Sequence, residues 1–340
     1  MNNSAKSNWK KADWFRAQLE AGGLTPMPLI SFPCVQYLGI SVRDLVSDSE
    51  KQAEGICTIA DKYPSAAAVT MMDLSVEAEA FGAPVRFSDD EVPAVTEAIV
   101  TDEDEAEALA IPSLDEGRCR IYCEAVRRAK ERLGDRPLFA GVIGPFSLAG
   151  RLMDMTEIMV ACYTEPESVE CVLGKVTAFI TEYAKALKDA GADGVIMAEP
   201  AAGLLSPDFN RTFSVPYVKQ IADALMDESF AFIYHNCGNV DPLLPDILTI
   251  GADAYHFGNA ADMPALAARM GEGDVIMGNI DPVGVFCNAT PEETEAAVTG
   301  LLDNMQPFSN FILSSGCDVP AKASLANIEA FYRAAQNYKK

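Results

Sequence analysis

The stretch PESVECVLGKVTAFITEYAKALKDAGADGVIM, Pro166 to Met197, decides the fold. Pro166 opens an amphipathic helical pattern that runs to Ala190, and Gly191 stops it. Ala192 and Asp193 lead at once into Gly194-Val-Ile-Met197, an apolar run too short for a helix and bounded by glycine. A helix feeding a wholly apolar strand is the repeating unit of a parallel sheet, whose strands are buried on both faces. Gly251-Ala-Asp253-Ala repeats the junction further along.

Working outward, apolar runs that read as buried strands fall at Pro28–Phe32, Ala66–Met71, Leu138–Ile143, Gly194–Met197, Phe230–Tyr234, Ala252–Phe257, Asp274–Gly278 and Asn310–Leu313. Helical stretches separate most of them, including Leu114–Leu133, Pro166–Ala190, Pro207–Met226 and Pro291–Gln306. Ser206-Pro207-Asp208 and Thr290-Pro291-Glu292-Glu293 each set a hydroxyl before a proline at the first helical position. Eight strands alternating with helices predict a single (β/α)8 TIM barrel. The rival, a doubly wound open sheet, lacks its Gly-x-Gly-x-x-Gly turn after the first strand. A polar helix over Asn8–Ala21 is placed as a cap on the barrel floor. The domain expectation is thus an N-terminal helical extension, 1–27, and a catalytic barrel, 28–340.

Composition narrows the partners. The net charge is −24, from 26 basic and 50 acidic residues, which argues against nucleic acid or an anionic membrane. Nine acids and no Lys or Arg lie between Asp89 and Glu107, read as a solvated loop ahead of a docking patch for a basic partner. No run approaches 18 apolar residues and the first residues are polar, so a cytoplasmic location is the default expectation. The nine cysteines are scattered and odd in number, which favours reduced thiols. Cys119 and Cys123 share a helix face, but no second Cys or His pair accompanies them.

Barrel active sites gather at the C-terminal ends of strands. That rule selects Asp73, Gly144-Pro145-Phe146, Glu199, His235 with Cys237, His256, Asn279, Asp281 and Cys317. His235-Asn-Cys237-Gly and Ser-Ser-Gly-Cys317-Asp each follow an apolar run, in a chain with only two histidines. Residues two apart on extended backbone point the same way. Strand ends facing across one mouth let Cys317 join His235 and Cys237. One imidazole and two thiolates suit open-site zinc; the bland alternative is a buried histidine beside core cysteines. Asp73, Glu77 and Glu79 open a helix-like stretch, where acids often only complement the dipole. Asp281 either faces the pocket or caps the loop before Pro282. His256 reads better as a satisfied core or rim histidine. Met71, Met72, Phe146, Met197 and Tyr37 form an apolar pocket floor or simply barrel core.

These motifs carry a resemblance. Asp73-Leu-Ser-Val-Glu77-Ala-Glu79-Ala-Phe-Gly82, Gly144-Pro-Phe-Ser-Leu-Ala149, His235-Asn-Cys237-Gly, Gly278-Asn-Ile-Asp281-Pro and Ser315-Gly-Cys317-Asp-Val-Pro span nearly the whole chain. The chain resembles the uroporphyrinogen decarboxylase superfamily, and within it the zinc-dependent methylcobalamin:coenzyme M methyltransferase branch. The resemblance implies zinc on His235, Cys237 and Cys317, with Glu199 either completing the shell as a displaceable ligand or hydrogen-bonding substrate. It also implies a methylated corrinoid as co-substrate, with Asp73, Tyr37 and Phe146 as corrinoid-binding candidates and Glu199 and Asp281 as catalytic ones. A corrinoid protein, a small thiol or methyl donor and a second copy of the chain are the partners it brings.

The expected reaction moves a methyl group between a methylated corrinoid and a zinc-activated thiol such as coenzyme M. The alternatives are the opposite flow, as in O-demethylase-type methyltransferases, a decarboxylase-like porphyrinoid enzyme, and a non-catalytic binding barrel. Uroporphyrinogen decarboxylases carry an Arg-rich turn after the first strand. Here the turn is Phe32-Pro-Cys-Val-Gln-Tyr37-Leu-Gly39, with no arginine before Arg43.

Overall fold

The computed structural model describes residues 9–22 and 24–339. Seven parallel strands form one sheet: β1 (Ala68–Val69), β2 (Leu138–Ile143), β3 (Gly194–Ala198), β4 (Ala231–Asn236), β5 (Ala254–Phe257), β6 (Val275–Ile280) and β7 (Phe311–Ser315). Their spatial order follows the chain, as right-handed βαβ crossovers around a barrel require. The second to eighth expected strands are therefore present, and the first is not a ladder strand.

The segment around Pro28 nevertheless occupies the missing position. Ala66 N donates to Pro26 O (2.9 Å) on the β1 side, while Met27 N donates to Leu313 O (2.9 Å) on the β7 side. Leu29 N reaches the Ser315 hydroxyl at 2.9 Å. Pro26 and Pro28 have no N–H, so a continuous ladder cannot form and the barrel closes through single bonds.

Side chains along each strand alternate between two cores. Ala231 and Ile233 point inward with Phe139, Ile196, Val275 and Ile312; Phe232 and Tyr234 point outward to the helices. The floor is sealed by α1 (Lys11–Glu20), whose Trp14 and Phe15 are buried. Trp14 Nε1 donates to Ala66 O (3.2 Å), and its ring lies 5.3 Å from Phe139. Residue 8, where this helix was expected to begin, lies outside the described residues.

The two glycine junctions are built alike. Gly191 and Gly251 adopt φ of 113° and 72°, the left-handed region in which glycine ends a helix without a Cβ clash. Each following aspartate clamps the neighbouring strand. Asp193 accepts from Leu138 N (2.8 Å) and Lys130 Nζ (2.5 Å), and Asp253 accepts from Phe232 N (2.9 Å) and Lys11 Nζ (3.0 Å).

The Pro166–Ala190 helix forms as read, and Ser206 and Thr290 cap their helices. The Pro207–Met226 stretch splits into Pro207–Phe213 and Val215–Leu225, because Pro216 cannot donate the N–H that a continuous helix needs there. The acidic stretch is more than a loop. It holds Ala94–Val95, paired antiparallel with Val85–Arg86, and a helix, Glu103–Ala108, capped by Asp102 with three acids in its first turn. After β2 come α2 (Pro145–Met153) and α3 (Met155–Thr164), which build one wall of the mouth. No helix of the described residues is long and apolar enough to cross a membrane.

Candidate metal centre

His235 is the penultimate residue of β4, on its inward face, in register with Ala198 of β3 and His256 of β5. Cys237 lies one residue past β4, and Cys317 two residues past β7. One ligand atom from each of the three lies within 4.8 Å of the others. Cys317 Sγ is 3.6 Å from His235 Nε2. A tetrahedral ion with Zn–S near 2.3 Å and Zn–N near 2.0 Å spaces its ligand atoms roughly 3.5 Å apart, so the donor set fits zinc in number, softness and spacing.

The backbone approaches closely to allow this. A Cβ on Gly258 would stand 2.6 Å from Cys237 Cα, and one on Gly316 would stand 2.6 Å from Asn259 N. Asn236, between His235 and Cys237, points outward and donates to Glu199 O (2.9 Å) while accepting from Gly238 N (2.8 Å). That fixes the turn carrying Cys237. The two cysteines are free thiols in contact. The hydrogen bond from Cys317, aided by His235, holds the Cys237 thiol well below its usual pKa against the opposing effect of burial. The same contact, together with burial, pushes Cys317 up.

Behind the cluster His235 Nδ1 lies 2.8 Å from His256 Nδ1 and 3.2 Å from His256 O. His256 Nε2 is 2.8 Å from the Ser314 hydroxyl, which donates to Met27 O at 2.7 Å. Burial and His235 push His256 far below its usual pKa, so it is neutral. The donors and acceptors then balance in one direction. His235 Nδ1–H donates to His256, His256 Nε2–H to Ser314, and Ser314 to Met27 O. This tautomer leaves the His235 Nε2 lone pair facing Cys317, as a metal ligand requires. The reading of His256 as a satisfied buried histidine agrees with this environment, but its contact with His235 was not foreseen. The available signal was register: both histidines end adjacent apolar strands at the same parity.

Glu199 is wholly buried at the end of β3. Its carboxylate accepts from Phe146 N (2.7 Å), Ser147 N (3.2 Å) and the Ser214 hydroxyl (3.3 Å). Burial, opposed by these bonds, raises its pKa to about 7. The carboxylate stands on the first turn of α2, outside the three-atom cluster, and must leave those amides to reach an ion.

The other candidates are dispersed around the mouth. Asp73 accepts from Arg118 (2.6 Å), Tyr122 (2.8 Å) and Ser75, so its charge is already matched. Asp281 Oδ1 caps the loop after β6, accepting from Val283 N (2.9 Å) and Gly284 N (2.8 Å). Phe146 is fully buried. Tyr37 is partly buried, with its hydroxyl on Tyr63 (2.6 Å) and the Lys62 ammonium 4.2 Å from its ring centre. Arg43 turns away to Phe87 O and Asp89 on the surface.

With this geometry in place, comparison with known proteins defines the class. Residues 34–338 match the model of the family described as uroporphyrinogen decarboxylase (URO-D). The methylcobamide:CoM methyltransferase MtbA of Methanosarcina acetivorans is 30% identical over 271 residues, covering 78% of each chain. A uroporphyrinogen decarboxylase of Vibrio campbellii is 27% identical over 301 residues, covering 82% of each. A solved methyltransferase from Methanosarcina mazei superposes with a TM-score of 0.83 over 94% of this chain and 97% of its own, at 22% identity. The chain belongs to the uroporphyrinogen decarboxylase family and is an enzyme of the methyltransferase class.

Proposed function

We propose that this enzyme transfers a methyl group from a methylated corrinoid to a small thiol, with zinc held by His235, Cys237 and Cys317. The observation that carries the reading is the convergence of these three side chains at the barrel mouth, with His235 held in the ligating tautomer by His256. Zinc bound there supplies a thiolate at neutral pH, because coordination deprotonates a thiol that is otherwise mostly protonated.

The chain's own residues do the rest. Cys237 and Cys317 would hold the zinc through two thiolates and His235 through a neutral nitrogen, and a three-residue donor set of this kind would leave the ion open to substrate sulfur. Glu199, beside His235 in the sheet and with its pKa near neutrality, is the group we assign to accept the proton that the thiol loses. The mouth is where a corrinoid, free or carried by a corrinoid protein, would dock and supply the methyl group. Tyr37, which is only partly buried, is the candidate we retain for corrinoid contact. The decarboxylase reading is disfavoured because the turn after the closing segment carries no arginine toward the mouth, leaving substrate carboxylates without a clamp.

Zinc analysis of purified protein tests this. The parent should hold about one zinc per chain, and Cys237→Ala with Cys317→Ala should abolish it together with thiol-dependent loss of the methyl–cobalt absorption band. Zinc that persists in the double variant, or a zinc-loaded parent inert toward every thiol, would reject the reading.

A further inference from the structure

The helix α3, Met155-Thr-Glu-Ile-Met-Val-Ala-Cys-Tyr-Thr164, carries one charged residue, Glu157. Its buried stripe is Ile158 and Cys162, so the opposite side of a surface helix should be polar. Instead that side holds Val160 and Tyr163, 51% and 74% exposed, with Met155 and Met159 half-buried beside them. Leu204, 65% exposed, joins them, and these five side chains with two threonines line an open groove of about 530 Å³. The Tyr163 ring packs edge-on against Phe209, with centroids 4.3 Å apart, which holds the apolar surface in place. Six large apolar side chains are exposed among the described residues, and three of them meet here. Scattered singly they would need no explanation; gathered in one groove they mark a surface that another molecule covers.

The groove runs up to the mouth. Leu204 ends the tight turn Pro200–Leu204 that follows Glu199. Its neighbour Gly203 lies directly against the loop that carries Cys237. A Cβ on Gly203 would stand 2.6 Å from Gly238 Cα and 2.9 Å from Asn236 Oδ1. A molecule seated on Leu204 is therefore beside the turn that bears one member of the cluster. Charge then selects the molecule. From Leu152 to Gly174 there are five acids and no Lys or Arg, and from Glu199 to Asn210 there is again no Lys or Arg. Exposed Glu157, Glu165 and Glu167 form no ion pair among the described residues, and Arg211 is taken by Asp208 and Asp246. A second copy of the chain would set acids against acids, and an anionic membrane would be repelled in the same way. The complement is a protein surface with an apolar centre and a basic rim.

We propose that α3 and Leu204 form the docking surface for the protein that delivers the corrinoid, which meets them with apolar side chains ringed by lysine and arginine. The surface itself rests on the groove and its charge; only the partner's cargo rests on the methyl-transfer reading. The apolar centre supplies affinity, and the acidic rim supplies encounter rate and orientation. Free methylcobalamin needs the mouth and not the groove outside it, which separates docking from chemistry.

The test places a photo-crosslinking residue at position 160 of the full chain, expressed in cells of its source organism. Position 329, exposed on the last helix, Leu325–Asn337, is the control. The captured protein is identified by mass spectrometry and by its cobalt content. A corrinoid-carrying protein captured from 160 and not from 329 is the expected result. Its affinity for the parent, read by calorimetry, should fall roughly 10–100-fold in Val160→Glu. Val160→Leu, which keeps the apolar surface, should retain it, and Glu157→Lys should weaken its dependence on salt. With free methylcobalamin and a panel of thiols, all three variants should keep kcat/KM within about twofold, with Tm unchanged. Capture of a second copy, of a protein without corrinoid, or of nothing overturns the proposal, as does an affinity that Val160→Glu leaves intact. The two readings fail separately. If no thiol demethylates methylcobalamin while a corrinoid protein is captured, the thiol step falls and the surface stands. If methylcobalamin reacts and the captured protein lacks a corrinoid, the surface proposal falls and the methyl-transfer reading stands.

Discussion

His235 illustrates how a single side chain depends on partners far away in the chain. Its Nε2 is useful to a metal only while Nδ1 holds the proton, and His256 and Ser314 decide that. His256→Phe fills the space but removes the acceptor, freeing His235 to rotate or change tautomer. Zinc affinity, read by chelator competition, should then weaken roughly 10–100-fold, with little change in thermal stability of the zinc-free protein. An unchanged affinity would mean that the backbone oxygen of His256 suffices as partner. The convergence of His235, Cys237 and Cys317 was legible because His-x-Cys and Gly-Cys at the ends of apolar runs are local patterns. The contact of His256 with His235 was not, because it arises from register between adjacent strands, which a linear pattern does not display.

Elements were legible where local chemistry and packing agree, as in Pro166–Ala190, which has a proline start, an apolar stripe and a glycine stop. They were misread where proline intervened. Pro26 and Pro28 turn the first strand into a singly bonded closing segment, and Pro216 cuts one helix into two. The aspartates after the glycine junctions lead to a prediction of their own. Asp193 ties β2 to the foot of β3 and pairs with Lys130, with a side chain 8% exposed; Asp253 does the same for β4 and Lys11 at 18%. Asp193→Ala strands a buried amide and a lysine, and should cost about 2 kcal/mol; Asp253→Ala, better solvated, about 1 kcal/mol. Urea unfolding of the two variants reads the difference. A milder effect at Asp193 than at Asp253 would show that water replaces the clamp.

At the scale of the whole molecule, charge and burial act in the same direction with pH. Burial raises Glu77 and Glu199 from the usual carboxyl value near 4.5 to about 7. A raised folded-state pKa means that the native state binds the proton more tightly than the unfolded chain. The associated stability is complete below about 4.5 and is lost as pH rises through about 7. The excess of 50 acids over 26 bases adds self-repulsion over the same interval. The zinc-free enzyme should therefore be more stable to urea at pH 6 than at pH 8. Glu77 is the group to isolate, since its Oε1 accepts from Ile143 N while Oε2 has no partner among the described residues. Glu77→Gln copies the protonated acid, keeps the acceptor for Ile143 and lies outside the His235–Cys237–Cys317 cluster. It should flatten the decline between pH 6 and pH 8 and leave the variant the more stable protein at the alkaline end. A slope identical to the parent's would show that Glu77 is already ionised throughout this interval, the pH dependence then belonging to surface repulsion or to buried Glu199. Raising the salt concentration distinguishes these, because screening suppresses surface repulsion and leaves a buried carboxyl nearly untouched.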